Sequence, residues 1–120
     1  MDRQRVARWI SAYEWAWRTP GTEPLAALFT PHATYVMSPY AKPFTGLRAI
    51  AAMWEDERDG AEEAFTMTSE ILAVEGDTAV ARIEVAYQDP AREYRDLWIM
   101  RFTPDGRCRE FEEWPFSPPK

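Results

Sequence analysis

One cysteine and one histidine in 120 residues close off two kinds of chemistry at the outset. A single thiol, Cys108, allows no intrachain disulfide and no multi-cysteine metal site. Arg107 and Arg109 flank it, so it reads either as a thiol of lowered pKa or as a small strand residue between turn-proximal arginines. His32 alone, with carboxylates scattered at no ligand spacing, gives no metal site. Clustered positive charge is also missing. The balance is 14 basic against 20 acidic residues, a net charge of −6. Nothing here would displace phosphate counterions or hold an anionic lipid surface, so no nucleic-acid partner and no membrane partner is expected. The longest aliphatic runs, such as Leu25 to Phe29, are far too short to span a bilayer. Met1-Asp2-Arg3-Gln4-Arg5 leads into an amphipathic stretch rather than a signal-peptide core, which points to a reduced, cytoplasmic setting. There is no glycine-rich phosphate loop and no lysine or serine in a nucleophile setting, so no cofactor is expected.

Aromatic side chains, by contrast, are abundant: six Trp, six Phe and five Tyr. That exceeds what a small core needs and suggests a cavity wall or an interface. The length fits one domain, residues 1–120, large enough to bury a core without staples. Val6, Trp9, Ile10, Tyr13 and Trp17 recur at helical spacing, and Thr19-Pro20-Gly21 stops that helix. Thr22 can cap a short second helix carrying Leu25, Leu28 and Phe29 inward. Ala33 to Met37 reads as a strand after the Thr30-Pro31 turn. A third helix runs from about Gly46 to Asp59, burying Leu47, Ile50, Met53 and Trp54, with Gly60 as its stop. Then the period falls to two. Strands are predicted over Phe65 to Val74, Thr78 to Gln88, Tyr94 to Phe102 and Arg107 to Phe116, with Glu75-Gly76-Asp77, Asp89-Pro90 and Pro104-Asp105-Gly106 between them.

Alternation sorts the last three strands into two faces. One carries Arg82, Glu84, Arg95, Leu97, Ile99, Arg101, Cys108, Glu110, Glu112 and Trp114, with charges that nearly balance. The other carries Ala81, Ile83, Val85 and Tyr87, then Tyr94, Asp96, Trp98, Met100 and Phe102, then Arg109, Phe111, Glu113 and Pro115. It is the more apolar, so the helices should cover it. Asp96 and Glu113 are its only carboxylates. Burying either without a partner costs several kcal/mol, so each must reach the rim, pair with a group such as Arg109, or take part in chemistry. Asp96, nearer its strand start, has the easier route to water.

The chain resembles the nuclear-transport-factor-2-like superfamily, in its SnoaL-like and ketosteroid-isomerase-like branch. The matching segments are Leu28-Phe29-Thr30-Pro31-His32-Ala33-Thr34-Tyr35, Phe44-Thr45-Gly46-Leu47-Arg48-Ala49-Ile50, Val74-Glu75-Gly76-Asp77-Thr78-Ala79-Val80 and Phe102-Thr103-Pro104-Asp105-Gly106-Arg107. The resemblance implies an α+β cone: a strongly curved, mainly antiparallel sheet whose concave face is covered by three N-terminal helices around a cavity, commonly dimeric through the sheet. It also implies that Tyr13 holds the place of an oxyanion-donating tyrosine. The family's aspartate base would fall at Met37 or Ser38, neither of which can act as one, and its second oxyanion acid falls at Trp98. A steroid isomerase of the usual mechanism is therefore not expected. His32, the only residue that could stand for the histidine of related dehydratases, reads as a surface turn residue.

Three readings follow. In the first, an isomerase-, cyclase- or lyase-like enzyme acts on an apolar carbonyl compound, Tyr13 donating to an oxyanion, Glu113 moving a proton, and Asp96 the further acid on that face. In the second, Trp9, Trp17, Met37, Met53, Trp54, Trp98 and Phe111 wall a non-catalytic site for an apolar small molecule. In the third, a homodimeric scaffold works through its outer sheet face near Trp114. For the aromatics the alternative at every position is plain core packing, and for Tyr13 a hydroxyl satisfied within the core.

Overall fold

The computed structural model describes residues 1–58, 64–88 and 91–119. Helix α1, Arg3–Arg18, starts at Asp2, whose side chain accepts from the Arg5 backbone N–H at 2.8 Å. That bond satisfies one of the helix's orphan donors. Val6, Trp9, Ile10, Tyr13 and Ala16 form its buried stripe. At the other end Arg58 reaches in, donating to the carbonyls of Thr19 and Gly21 at 2.9 Å each. A cation there opposes the negative end of the helix dipole. Helix α2, Leu25–Leu28, is a single turn behind Pro24. The capping expected of the Thr22 side chain is not made. Thr22 contributes its backbone carbonyl instead, accepting from Leu25 N at 3.1 Å.

Strand β1 covers Phe29–Val36, starting earlier than the predicted Ala33, because Thr30-Pro31 is absorbed as an irregularity between Phe29 and Thr34 rather than forming a separate turn. Pairing of β1 with β2, Phe44–Thr45, turns the chain into α3, Leu47–Glu57. The predicted end at Asp59, the stop at Gly60 and the Asp89-Pro90 break lie outside the described residues. Then come β3 (Phe65–Glu75), β4 (Thr78–Gln88), β5 (Ala91–Phe102) and β6 (Cys108–Phe116). The β3–β4 connection is two residues long with Gly76 at φ 58°, a left-handed value that glycine adopts without strain and that suits tight hairpins.

The strands order as β2-β1-β6-β5-β4-β3. All neighbours are antiparallel except β1 and β6, which run parallel and tie the N-terminal half to the last strand. The helices pack on the concave side, giving the α+β cone. No described helix is long and apolar enough to cross a membrane.

The face assignment has one correction. Phe102 pairs with Cys108 but Arg101 pairs with Glu110, so Arg109 is an extra residue in β6. Such a bulge inverts parity for everything before it. Cys108 therefore lies inside, fully buried, and burial pushes its thiol up to about 12, the opposite of an activated nucleophile. Arg109 lies outside, bonded to Asp77 at 2.8 Å and Glu110 at 2.7 Å, and partners neither inner carboxylate. The outer face carries the anticipated cross-strand ion pairs, among them Arg82–Glu70 and Arg95–Glu84. These exposed pairs each contribute a few tenths of a kcal/mol at most.

Candidate active site

The concave face divides along the cone axis. At the closed end Trp9 packs edge-on against Phe29 and Phe102, with ring centroids 5.6 and 5.5 Å away, and its indole N–H donates to the Leu28 carbonyl at 3.0 Å. Phe111 sits beneath, 5.0 Å from Trp98 and 4.7 Å from Tyr35. Trp54 packs between Tyr13 and Trp17, 5.1 and 4.8 Å from their rings. Trp9, Trp54 and Phe111 thus lie in the packed layer and do not reach the cavity wall.

The other end opens into a cavity of about 280 Å³. Of the residues singled out from the sequence, Tyr13, Trp17, Met37, Met53, Asp96, Trp98 and Glu113 come together on its wall. Phe65, Met67 and Val85 add apolar surface, and Tyr87, Arg92 and Glu57 stand there too, the Arg92 guanidinium 4.3 Å above the Tyr87 ring. His32 is exposed on β1, away from this wall.

One side chain that meets these on the wall was not singled out from the sequence. The Tyr35 hydroxyl donates to Glu113 Oε2 at 2.6 Å and lies 2.6 Å from the Tyr13 hydroxyl, which is itself 3.5 Å from the same carboxylate oxygen. With the Tyr35 proton directed at Glu113, the Tyr35 oxygen accepts from Tyr13. Tyr35 therefore holds one carboxyl oxygen directly, Tyr13 backs it through the Tyr35 oxygen, and Oε1 stays outside these bonds. The signal for Tyr35 was present: it shares strand parity with Met37, two residues on. Its meeting with Glu113 depends on the parallel pairing that sets Tyr35 beside Phe111, two residues from Glu113 in β6.

Burial raises the Glu113 carboxyl to about 7, against the lowering effect of the Tyr35 hydrogen bond, and the nearby Asp96 charge raises it further. Burial likewise raises Asp96 to about 6. The route to water expected for Asp96 at its strand start is not found: the residue is 6% exposed. The Trp98 indole stands close enough to favour its charged form, yet neither Asp96 Oδ1 nor Trp98 Nε1 completes a hydrogen bond. Both phenols are raised well above 10, first by burial and then by the Glu113 charge, so they remain protonated donors. An apolar wall with two carboxyls titrating near neutrality can accept a proton at one place and return it at another.

The SnoaL-like domain model matches residues 6–111. Among curated proteins, none matches the chain. Among solved structures, a candidate isomerase of the SnoaL-like family from Agrobacterium tumefaciens is 16% identical, with a TM-score of 0.74 over 94% of this chain and 98% of that one. An NTF-2-like protein of unknown function from Burkholderia xenovorans is 14% identical, with a TM-score of 0.74 over 98% of this chain and 87% of that one. A candidate polyketide cyclase from Sinorhizobium meliloti is 23% identical, with a TM-score of 0.64 over 88% and 93%. At these identities the likeness concerns the fold, and the fold hosts unrelated activities. The matched span and the cone together make this chain a member of the SnoaL-like family, within the nuclear-transport-factor-2-like superfamily.

Proposed function

We propose that the cavity binds a small, largely apolar carbonyl compound and moves a proton on it, in an isomerase- or cyclase-type reaction. The observation that carries this reading is the hydrogen-bonded line Tyr13–Tyr35–Glu113, ending in a carboxyl that opens onto an apolar wall. Ionised Glu113 takes a proton from the carbon beside the carbonyl. Negative charge then leaves the carboxyl and appears on the substrate oxygen. The hydrogen bonds that supported the carboxylate weaken in the same step, and Tyr13, which borders the cavity, can turn its O–H from Tyr35 to that oxygen. Neutral Glu113 returns the proton at a second position. Tyr13 therefore begins as part of the support for Glu113 and serves the oxyanion only after proton transfer.

The test needs no knowledge of the natural substrate. Exchange of the α-protons of 2-tetralone in D2O, followed by NMR, reports the first proton transfer alone. Exchange above the buffer rate that is lost in Glu113→Gln is the expected result. Saturable binding with no exchange in the wild type would favour a second reading, a binding module whose methionines and aromatics hold an apolar guest. For the outer face we propose a homodimer contact around Trp114 and Phe116, the latter 61% exposed. Molar mass by light scattering, with Trp114→Glu returning a monomer, checks it.

A further inference from the structure

Asp96 and Trp98 stand two residues apart on β5, side by side on the inner face, and both border the cavity. They are 6% and 2% exposed, and Asp96 Oδ1 and Trp98 Nε1 each lack a hydrogen-bond partner. The two orphans are complementary. An indole N–H can only donate, and an ionised carboxylate can only accept. Buried orphans of this kind are rare in folded proteins, and leaving such a group unsatisfied is costly. No neighbouring cation answers Asp96, since none of the described ion pairs includes it and the Arg92 guanidinium lies over Tyr87. Trp54 Nε1 is also unpartnered but does not border the cavity, so it offers nothing to a guest.

We infer that Asp96 and Trp98 form a hydroxyl-reading subsite, and that the ligand of this cavity is a hydroxylated carbonyl compound. One hydroxyl satisfies both atoms at once, accepting from Trp98 Nε1 while donating to Asp96 Oδ1. A bare carbonyl could answer only the indole, and an ether could not donate. The sheet fixes where that hydroxyl lies relative to the proton carrier. Trp98 is directly opposite Glu113, and Asp96 is opposite Pro115, so Asp96 and Glu113 are diagonal neighbours. Diagonal positions on an antiparallel pair are about 7–8 Å apart. The hydroxyl therefore belongs several bonds away from the reacting carbon, across a ring or a short chain, and is a handle rather than a reacting group. This assignment of substrate class rests on the acid–base reading of Glu113 given above, but its test is separate.

The probes are 2-tetralone and its 5-, 6- and 7-hydroxy derivatives, with binding measured by titration calorimetry at pH 8. At least one hydroxylated isomer should bind about tenfold or more tightly than the parent ketone, the increment of a hydrogen bond to a charged group. Trp98→Phe and Asp96→Leu should each bring that ratio to near one, the hydroxylated and parent ketones being compared within each variant so that any general change in cavity binding cancels. Asp96→Asn, which keeps an acceptor but loses the charge, should retain part of the ratio and guards against a folding defect in the leucine variant. Parent-ketone binding with no gain from any hydroxyl position overturns the subsite while leaving the acid–base reading intact. A gain that survives both Trp98→Phe and Asp96→Leu overturns it as well. Binding of the hydroxylated ketones without α-proton exchange would sink the acid–base reading and keep the subsite. If neither ketone nor hydroxyketone binds, both fall.

Discussion

The closed and open ends of the cone use the same kinds of aromatic side chain, but the open end adds two carboxyls to them. At the closed end Trp9, Phe29 and Phe102 interlock and the Trp9 indole N–H is bonded to Leu28 O, while Trp54, in the same packed layer, leaves its indole N–H unpaired. At the open end two carboxyls face aromatic and thioether surface, and a buried indole N–H and a carboxyl oxygen go unpaired. A sequence optimised only for stability would not leave such groups inside, because each costs free energy that an apolar residue would not. On the proposed reading, the difference separates the part of the cone that folds the chain from the part that is kept for a guest.

The sharpest way to break this division is to remove the proton carrier. Glu113→Gln keeps the shape of the side chain and its contact with Tyr35, but cannot ionise. It should lower α-proton exchange by roughly 10²–10⁴-fold, the range of a general base, with the chain still folded. A variant exchanging within a few-fold of wild type would show that the open end is packing after all. The closed end should respond in the reverse sense. Phe102→Ala should cost about 3–5 kcal/mol of unfolding free energy, read by denaturant titration. Exchange per folded molecule should stay within about threefold. A large loss of exchange without a loss of stability would dissolve the boundary between the two ends.

Acidity gives an intermediate effect. Asp96 and Glu113 both hold their protons to higher pH in the folded chain than in the unfolded one. Between about pH 4 and 7 the folded state binds more protons, so stability falls as pH rises. Their contribution is full below the unfolded values near 4 and is lost as pH passes about 6 for Asp96 and about 7 for Glu113. Asp96→Asn should therefore stabilise the chain at pH 8 by roughly 1–3 kcal/mol and make little difference at pH 4. Thermal melts at the two pH values check it. Equal changes at both would mean that Asp96 is not held as a strained carboxyl.

Much of this division could be read in advance, and its limits have physical causes. Asp96, Trp98 and Glu113 fall on the correct face because β5, and β6 beyond Glu110, run without interruption, so period two holds. Cys108 and Arg109 exchange faces because a single extra residue inverts parity, and a bulge at an ordinary arginine leaves no local trace. The depth of Trp9, Trp54 and Phe111 escapes for another reason. Periodicity tells which side of an element a residue occupies, not how far along the cone it sits. Tyr35 illustrates the third limit. Its parity is plain, but its partner is 78 positions away, brought close by a parallel pairing that no neighbouring residue encodes.

Tyr35 also supplies the finest test of the comparison. Its hydroxyl bond to Glu113 is the largest influence that lowers that carboxyl, opposing the burial that raises it. Tyr35→Phe removes the bond and leaves the burial, so the carboxyl should titrate above about 7. The Tyr13 hydroxyl, at 3.5 Å, remains as the weaker donor. If Glu113 is the base, the exchange rate rises with pH as the carboxylate forms, and in the variant that rise should move to higher pH while the plateau falls modestly. A core phenol with no part in the proton path would lower stability and leave the midpoint unmoved. A midpoint shifted downward would mean that Tyr35 accepts rather than donates. The proton line from Tyr13 to Glu113 would then have to be redrawn in the opposite direction.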